Sequence, residues 1–301
     1  MTGNHHLEEK ISLPPRTIRL SWPGTHAVTD VLRLDELHPV ISGNKWFKLK
    51  YALEKAKTEG KERITTFGGA FSNHIVATAC ACNLAGIRSR GIIRGEESDK
   101  PSFTIQTARE YGMELEFISR AEFKTLRDSG FLLKNAGNDL IIPEGGAGAE
   151  GVRGAAEILN YVCPEQYTHI FCAIGTGAMA AGLLQRMGNH QQLICINVLK
   201  GGSFQQEDIL RLSGMPGNNL MIRNDFHFGG YAKFTAELIR FMNSFYDRTG
   251  VPSDRVYTAK LFYAWQEMVK KELNDAAIHI LLVHSGGLTG NTSLPKGTLI
   301  F

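Results

Sequence analysis

One unit recurs along this chain from about residue 30 onward: a short apolar run rich in β-formers, a glycine-containing turn, then a segment with helical spacing. That alternation restricts the fold more than any other feature, because parallel strands are joined only by long crossovers and a helix is the usual crossover. The runs at 64–67, 90–94, 115–119, 140–143, 169–174, 193–198 and 279–283 are the expected strands. Most are continuously apolar rather than alternating, which predicts a mainly parallel sheet covered on both faces. Ahead of the first run, Trp46, Leu49, Leu53 and Ala56 recur at helical spacing and Gly60 closes that helix. Residues 72–85, dense in small apolar side chains and ending at Gly86, read as a buried helix. The expected class is therefore α/β, with no internal repeat, low-complexity segment or obvious linker to mark a domain boundary.

With 301 residues, 43% of them hydrophobic, the chain is long enough to bury one large core or two smaller ones. Its net charge of +3 is small and no run of five or six basic residues occurs, which argues against nucleic acid as a partner. No stretch approaches a membrane-spanning length, and the opening MTGNHHLEEK is polar rather than a basic flank before an apolar segment. A cytoplasmic protein with no membrane partner is expected. Cys80, Cys82, Cys163, Cys172 and Cys195 are odd in number and embedded in apolar segments, which suits reduced core thiols rather than disulfides. Cys80 and Cys82 lie within a helix-like run with no second ligand pair, so no metal site is expected. The sequon at Asn291-Thr292-Ser293 reads as chance in an unexported protein.

Three segments can carry chemistry. In Ser42-Gly43-Asn44-Lys45-Trp46-Phe47-Lys48-Leu49-Lys50 three lysines crowd the positive end of a helix dipole, where cations are disfavoured by roughly 0.3–1 kcal/mol each. Crowding destabilises an ammonium and raises the fraction of free amine able to attack an aldehyde. A solvated basic helix end is the other reading of these nine residues. The second segment, Phe67-Gly68-Gly69-Ala70-Phe71-Ser72-Asn73-His74, joins a strand to a helix; its glycines allow a tight turn and its helix start presents donors to an anion such as a carboxylate. Ser72 or Asn73 reads equally as an ordinary helix cap. The third, Ile174-Gly175-Thr176-Gly177-Ala178-Met179-Ala180, repeats that grammar and suits a phosphate. Gly175-x-Gly177-x-x-Ala180 also meets the loose dinucleotide pattern, but the next strand ends in Leu199-Lys200-Gly201, with no acid for a ribose, and the lysine of a Walker loop is missing. Two anion cups and a crowded lysine together match a phosphorylated aldehyde cofactor, pyridoxal 5′-phosphate, and an amino-acid carboxylate.

At these residues the sequence resembles the 1-aminocyclopropane-1-carboxylate deaminase and D-cysteine desulfhydrase group of the tryptophan-synthase-β-like enzymes, from about Leu32 to about Gly287. Gly43-Asn44-Lys45-x-x-Lys48-Leu49 resembles the cofactor-lysine motif, Gly69-x-x-Ser72-Asn73-His74 the substrate loop, and Gly175-Thr176-Gly177 the phosphate loop, with Met179 where a hydroxyl residue is common. Tyr231, after Gly229-Gly230, and Tyr257, in Arg255-Val256-Tyr257-Thr258-Ala259-Lys260, fall on the group's two active-site tyrosines.

The resemblance implies two open parallel-sheet domains of fold type II with the cofactor in the cleft between them: a small domain over about 50–155 inserted into a large one made of 1–49 and 156–301, in a homodimer. It implies that Lys45 carries the cofactor as a Schiff base and shuttles the α-proton, with Ser72, Tyr231 and Tyr257 as further catalytic candidates. Lys48, Gly175, Thr176, Gly177, Ala178 and Met179 would hold the phosphate. Asn73 would touch the ring hydroxyl, and Ser72, Asn73 and His74 the carboxylate of a small amino-acid substrate. Thr258, against the ring nitrogen, and Ser285, by the substrate, stand where the deaminases carry glutamate and leucine, whereas the desulfhydrases similarly carry hydroxyl residues. The resemblance therefore implies β-elimination from D-cysteine; ring opening of 1-aminocyclopropane-1-carboxylate, another reaction of a small amino acid, and a non-catalytic α/β binding protein are the alternatives.

Overall fold

The computed structural model describes residues 9–132, 137–201 and 205–301. The α/β class is the one adopted, and the strands fall into two sheets. The larger sheet contains β1 (Thr17–Leu20), β2 (Val28–Arg33), β7 (His169–Ile174), β8 (Gln192–Asn197), β9 (Leu220–Arg223) and β10 (His279–His284) in the order β1-β2-β10-β7-β8-β9. Only the edge strand β1 is antiparallel to its neighbour. The smaller sheet, fully parallel, has the order β5-β4-β3-β6, formed by β3 (Arg63–Gly69), β4 (Arg88–Arg94), β5 (Glu114–Ile118) and β6 (Asp139–Ile142). All seven expected strands are present, with ends within two residues of those read from the sequence.

The crossovers are helices: α1 (Asn44–Thr58), α2 (Asn73–Ala85), α3 (Phe103–Glu110), α4 (Arg120–Asp128), α5 (Ala149–Ala156), α6 (Ala178–Arg186), α7 (Gln205–Ser213), α8 (Ala236–Thr249) and α9 (Thr258–Lys271). Helix α1 buries Trp46, Phe47, Leu49, Ala52, Leu53 and Ala56 on one face. It ends as the sequence predicts: Gly60 takes φ +61°, its N–H bonds Lys57 O at 3.2 Å and the Lys61 N–H bonds Ala56 O at 2.8 Å, which closes a Schellman turn.

Continuous apolar strands are explained by burial on both faces. In β7, Ile170, Cys172 and Ile174 enter one core while Phe171 and Ala173 enter the other. Helix α5 fits between α1 and α6 only because of its small residues: a Cβ on Gly154 would stand 1.7 Å from Phe47 O, so the helix backbones touch. Four cysteines are buried, but Cys163 is exposed, in the connection into β7 just before Pro164, which corrects the expectation of five core thiols. Among the described residues no helix is long and apolar enough to cross a membrane.

Candidate active site

Helix α1 starts against the end of β10. Gly43 has φ +67°, and a Cβ there would lie 1.9 Å from Ser285 O, so only glycine permits the approach. The Asn44 amide donates to that same Ser285 oxygen at 3.2 Å. Asn44 is buried; its Oδ1 accepts from Lys45 Nζ at 2.7 Å and its Nδ2 donates to Met179 Sδ at 3.2 Å. One side chain thus ties the lysine to the first turn of α6 through the Met179 sulfur.

Burial lowers the Lys45 amine to about 8, against a smaller opposing pull from Asp254. Desolvation, not the crowding of neighbouring cations expected from the sequence, is the cause. Lys48 is 6% exposed, donates to Gly145 O at 3.0 Å, and is held well below the ordinary lysine range by burial and then by Lys45. Lys50 turns away onto Glu157 and takes no part.

The Gly175-Thr176-Gly177 turn lies between β7 and α6, with Gly177 at φ +79° in the cap position and Ala178 and Met179 buried in the first helical turn. Gln205 Nε2 secures Gly175 O at 3.0 Å. The turn after β6 packs on it, since a Cβ on Gly145 would lie 2.8 Å from Thr176 Cγ2. Lys45 and Lys48 are thus each tethered to this turn and its helix, one through Asn44 and Met179 and the other through Gly145. Tyr257 borders the turn, its ring 3.3 Å from where a side chain at Gly175 would begin. The Tyr231 and Tyr257 rings meet edge-on with centroids 6.2 Å apart, and desolvation pushes both phenols up.

From the smaller sheet, the turn after β3 brings in Ser72, Asn73 and His74. Ser72 occupies the cap position of α2, yet its hydroxyl makes no capping bond, so the ordinary-cap reading does not describe it. The amides of the first turn of α2 are the orphan donors of a helix start. Asn73 reaches across to the larger sheet: its Nδ2 donates to Gly287 O at 3.4 Å and its Oδ1 accepts from Thr289 at 2.8 Å.

His74 departs from the sequence expectation. Its Nε2 lies 2.9 Å from Thr66 Oγ1, whose own proton goes to Ile142 O at 2.8 Å, so Nε2 carries the hydrogen and Nδ1 is a bare acceptor. Burial, then Lys45 and Lys48, hold the ring well below the ordinary histidine range, and Nδ1 has no hydrogen-bond partner among the described residues. A neutral ring in this state cannot donate to a carboxylate, so only the His74 amide fits that task.

Thr258 begins α9. Its hydroxyl donates to Asp254 Oδ1 at 2.9 Å and accepts from the Asp254 amide at 2.7 Å. Asp254, fully buried, also receives the amides of Val256, Tyr257 and Thr258 at 2.8–3.0 Å. Ser285 is buried at the end of β10.

Three residues that sequence reasoning passed over stand beside these. Asp254 is the anchor of the Tyr257 turn, and its only signal was an acid four positions before a helix-starting threonine. Glu144 follows β6 in Pro143-Glu144-Gly145-Gly146, which repeats the strand-then-glycine grammar of the two recognised cups. Arg94 ends β4 with its guanidinium 3.7 Å from Glu144 and stacked over Phe123 at 5.2 Å. Burial raises the Glu144 carboxyl, and its charge in turn acts on both tyrosines.

The residues fit pyridoxal phosphate on their own chemistry: a buried lysine poised as an amine, a glycine turn at a helix start for a phosphate, and a second helix start for a carboxylate. Comparison with known proteins points the same way. Residues 26–286 match the model of the family described as pyridoxal-phosphate dependent enzymes. A Pyrococcus abyssi protein provisionally named 1-aminocyclopropane-1-carboxylate deaminase is 29% identical over 272 residues, which is 83% of this chain and 81% of that one. The bifunctional D-cysteine desulfhydrase/1-aminocyclopropane-1-carboxylate deaminase of Arabidopsis thaliana mitochondria is 27% identical over 311 residues, covering 92% and 77%. A crystal structure of an ACC deaminase homologue superposes with a TM-score of 0.78 at 25% identity, covering 94% of this chain and 92% of that one.

Proposed function

Because the chain belongs to the family of pyridoxal-phosphate-dependent enzymes, among relatives named for deamination of 1-aminocyclopropane-1-carboxylate and desulfhydration of D-cysteine, we propose that it catalyses β-elimination of D-cysteine. Water is consumed, and pyruvate, ammonia and hydrogen sulfide are the products. The observation that carries this choice is the state of Thr258. Where the deaminases carry a glutamate, this chain offers a neutral oxygen whose proton is already committed to Asp254 Oδ1 at 2.9 Å. A hydroxyl that can only accept does far less than a carboxylate to hold a pyridine nitrogen protonated. Expelling sulfur from the β-carbon after loss of an α-proton demands less of the ring than opening a cyclopropane that has no α-proton to lose.

When bound, the cofactor supplies an electron sink for the bond broken at the substrate's α-carbon. The chain's own residues do the rest. The Lys45 amine holds the cofactor and, once freed, takes the α-proton. Lys48 supplies a donor beside the phosphate, and the amides of Gly175 to Met179 complete that anchor. Asn73 holds the ring hydroxyl. The Ser72 hydroxyl and the amides of Asn73 and His74 orient the carboxylate, Ser285 lies alongside the substrate, and the Tyr231–Tyr257 pair holds a proton at the opposite wall.

Steady-state assays on both substrates test the reading: sulfide release from D-cysteine is expected. Efficient 2-oxobutanoate formation from 1-aminocyclopropane-1-carboxylate with no sulfide release would establish the second reading, which the relatives' names favour. The family match sets aside a non-catalytic binding protein. We further take the enzyme as a cytoplasmic homodimer with a small domain over about 50–155, a division supported by the confinement of the smaller sheet to Arg63–Ile142.

A further inference from the structure

We propose that Lys260, assisted by Arg255, positions Tyr231 by clamping the backbone turn that carries it; the inference rests on Tyr231 facing the substrate as read above. Tyr231 lies in a turn of unusual conformation, with Phe228 at φ 50°, Gly229 at 92°, Gly230 at 114° and Ala232 at 55°. Left-handed backbone at Phe228 and Ala232 is unfavourable for residues bearing a Cβ, and such geometry persists only where surrounding contacts dictate it.

Two cations supply those contacts, one on each side of the tyrosine. Lys260 Nζ donates to Gly230 O at 2.8 Å, and Arg255 Nη1 donates to Ala232 O at 2.5 Å. Lys260 is fully buried, and Gly230 O is the hydrogen-bond partner its ammonium has among the described residues. A charged donor on a carbonyl away from water makes a stronger bond than a neutral one. Asp254 provides the compensating charge, opposing the lowering that burial imposes on the Lys260 amine. Arg255 is fixed in turn by Ser293 Oγ at 2.9 Å and by the Phe234 ring at 4.9 Å.

The arrangement also sets the tyrosine pair. Tyr257 and Lys260 are three residues apart, one helical turn, at the start of α9. The same rigid helix end therefore presents Tyr257 and grips the turn whose tyrosine packs edge-on against it. Lys260 touches neither substrate nor cofactor in this account; it is a positioning residue.

The test uses the cofactor-loaded full chain and hydrogen–deuterium exchange with kinetics. In Lys260→Met, amides of residues 227–234 are expected to exchange at least about tenfold faster while those of α9 keep their protection, the loss of one charge-assisted bond. For D-cysteine, kcat is expected to fall about tenfold with KM within about threefold, and in a Tyr231→Phe background the further loss should be under about twofold. Unchanged exchange at 227–234 overturns the clamp whatever the activity. A full, additive loss in the Tyr231→Phe background overturns its route through the tyrosine. If Tyr231→Phe alone leaves the rate intact, the catalytic reading of Tyr231 falls while exchange still decides the clamp. Should Lys260→Met not fold, Arg255→Leu removes the independent bond to Ala232 and is read by the same exchange.

Discussion

The Lys45 amine gives the sharpest quantitative expectation, through the pH dependence of cofactor capture. Burial brings it from the ordinary 10.5 to about 8. A lowered value means that the reactive free amine appears at lower pH. At pH 7 an amine titrating at about 8 is about 9% unprotonated, against about 0.03% for an unperturbed lysine, a gain of about 300-fold. Capture by cofactor-free protein, followed by visible absorption in stopped flow, should rise about fivefold from pH 7 to 8 and less than twofold from pH 8 to 9. A rate still climbing tenfold per unit above pH 9 would refute the reasoning. Two variants locate the cause. Desolvation lowers Lys45, and Lys48 is no cause of that lowering, so Lys48→Met should shift the midpoint by less than about half a unit. Asp254 opposes the lowering, so Asp254→Asn should move the midpoint further down. A large upward shift in Lys48→Met would instead restore cation crowding as the cause.

Other expectations concern the surrounding frame. Thr258→Val strands the Asp254 amide and removes one donor from its carboxylate; a loss of about 1–3 kcal/mol in denaturant unfolding is expected, and an unchanged midpoint counts against the network. Gly43→Ala drives a Cβ to 1.9 Å from Ser285 O at positive φ, and should cost more than about 2 kcal/mol together with cofactor retention. His74→Gln should leave KM for D-cysteine within about threefold, since the ring bonds Thr66 rather than a carboxylate; a rise of about tenfold or more would return the side chain to the substrate. Native thiol titration should find one fast group per chain, Cys163, and four more only on unfolding.

What could be read from the sequence is what depends on near neighbours in the chain. Buried parallel strands declare themselves because both faces must be apolar, as β7 and β8 do. Strand β2 does not: Thr29, Asp30 and Arg33 interrupt it, and they are tolerated because each finds a partner, Trp265 Nε1 on Thr29 at 3.2 Å and Tyr167 OH on Asp30 at 3.0 Å from far along the chain, and Asp35 on Arg33 from two residues away. The short edge strand β1 and β9, which is only partly buried, carry too little pattern to stand out. Lys45 was legible as an anomaly, a cation at the wrong end of a helix, but its cause was misjudged because burial is a property of the assembled fold.

The same division explains the corrections within the site. A motif locates the backbone of His74, and the amide it offers follows from the helix start; the ring's direction is set by Thr66 and Ile142, on two neighbouring strands that no local pattern relates to it. Position 258 shows how far this reaches. The identity of the residue says that no carboxylate is present, and that much is sequence. That its hydroxyl proton is spent on Asp254 follows only from the turn entering α9. With Thr258 at the proposed place, chemistry at the ring nitrogen would depend jointly on residue 258 and on the carboxylate four positions earlier. A substitution of Thr258 alone changes both the group offered to the cofactor and the anchor that presents Tyr257, so its effect on substrate choice has meaning only beside its effect on stability.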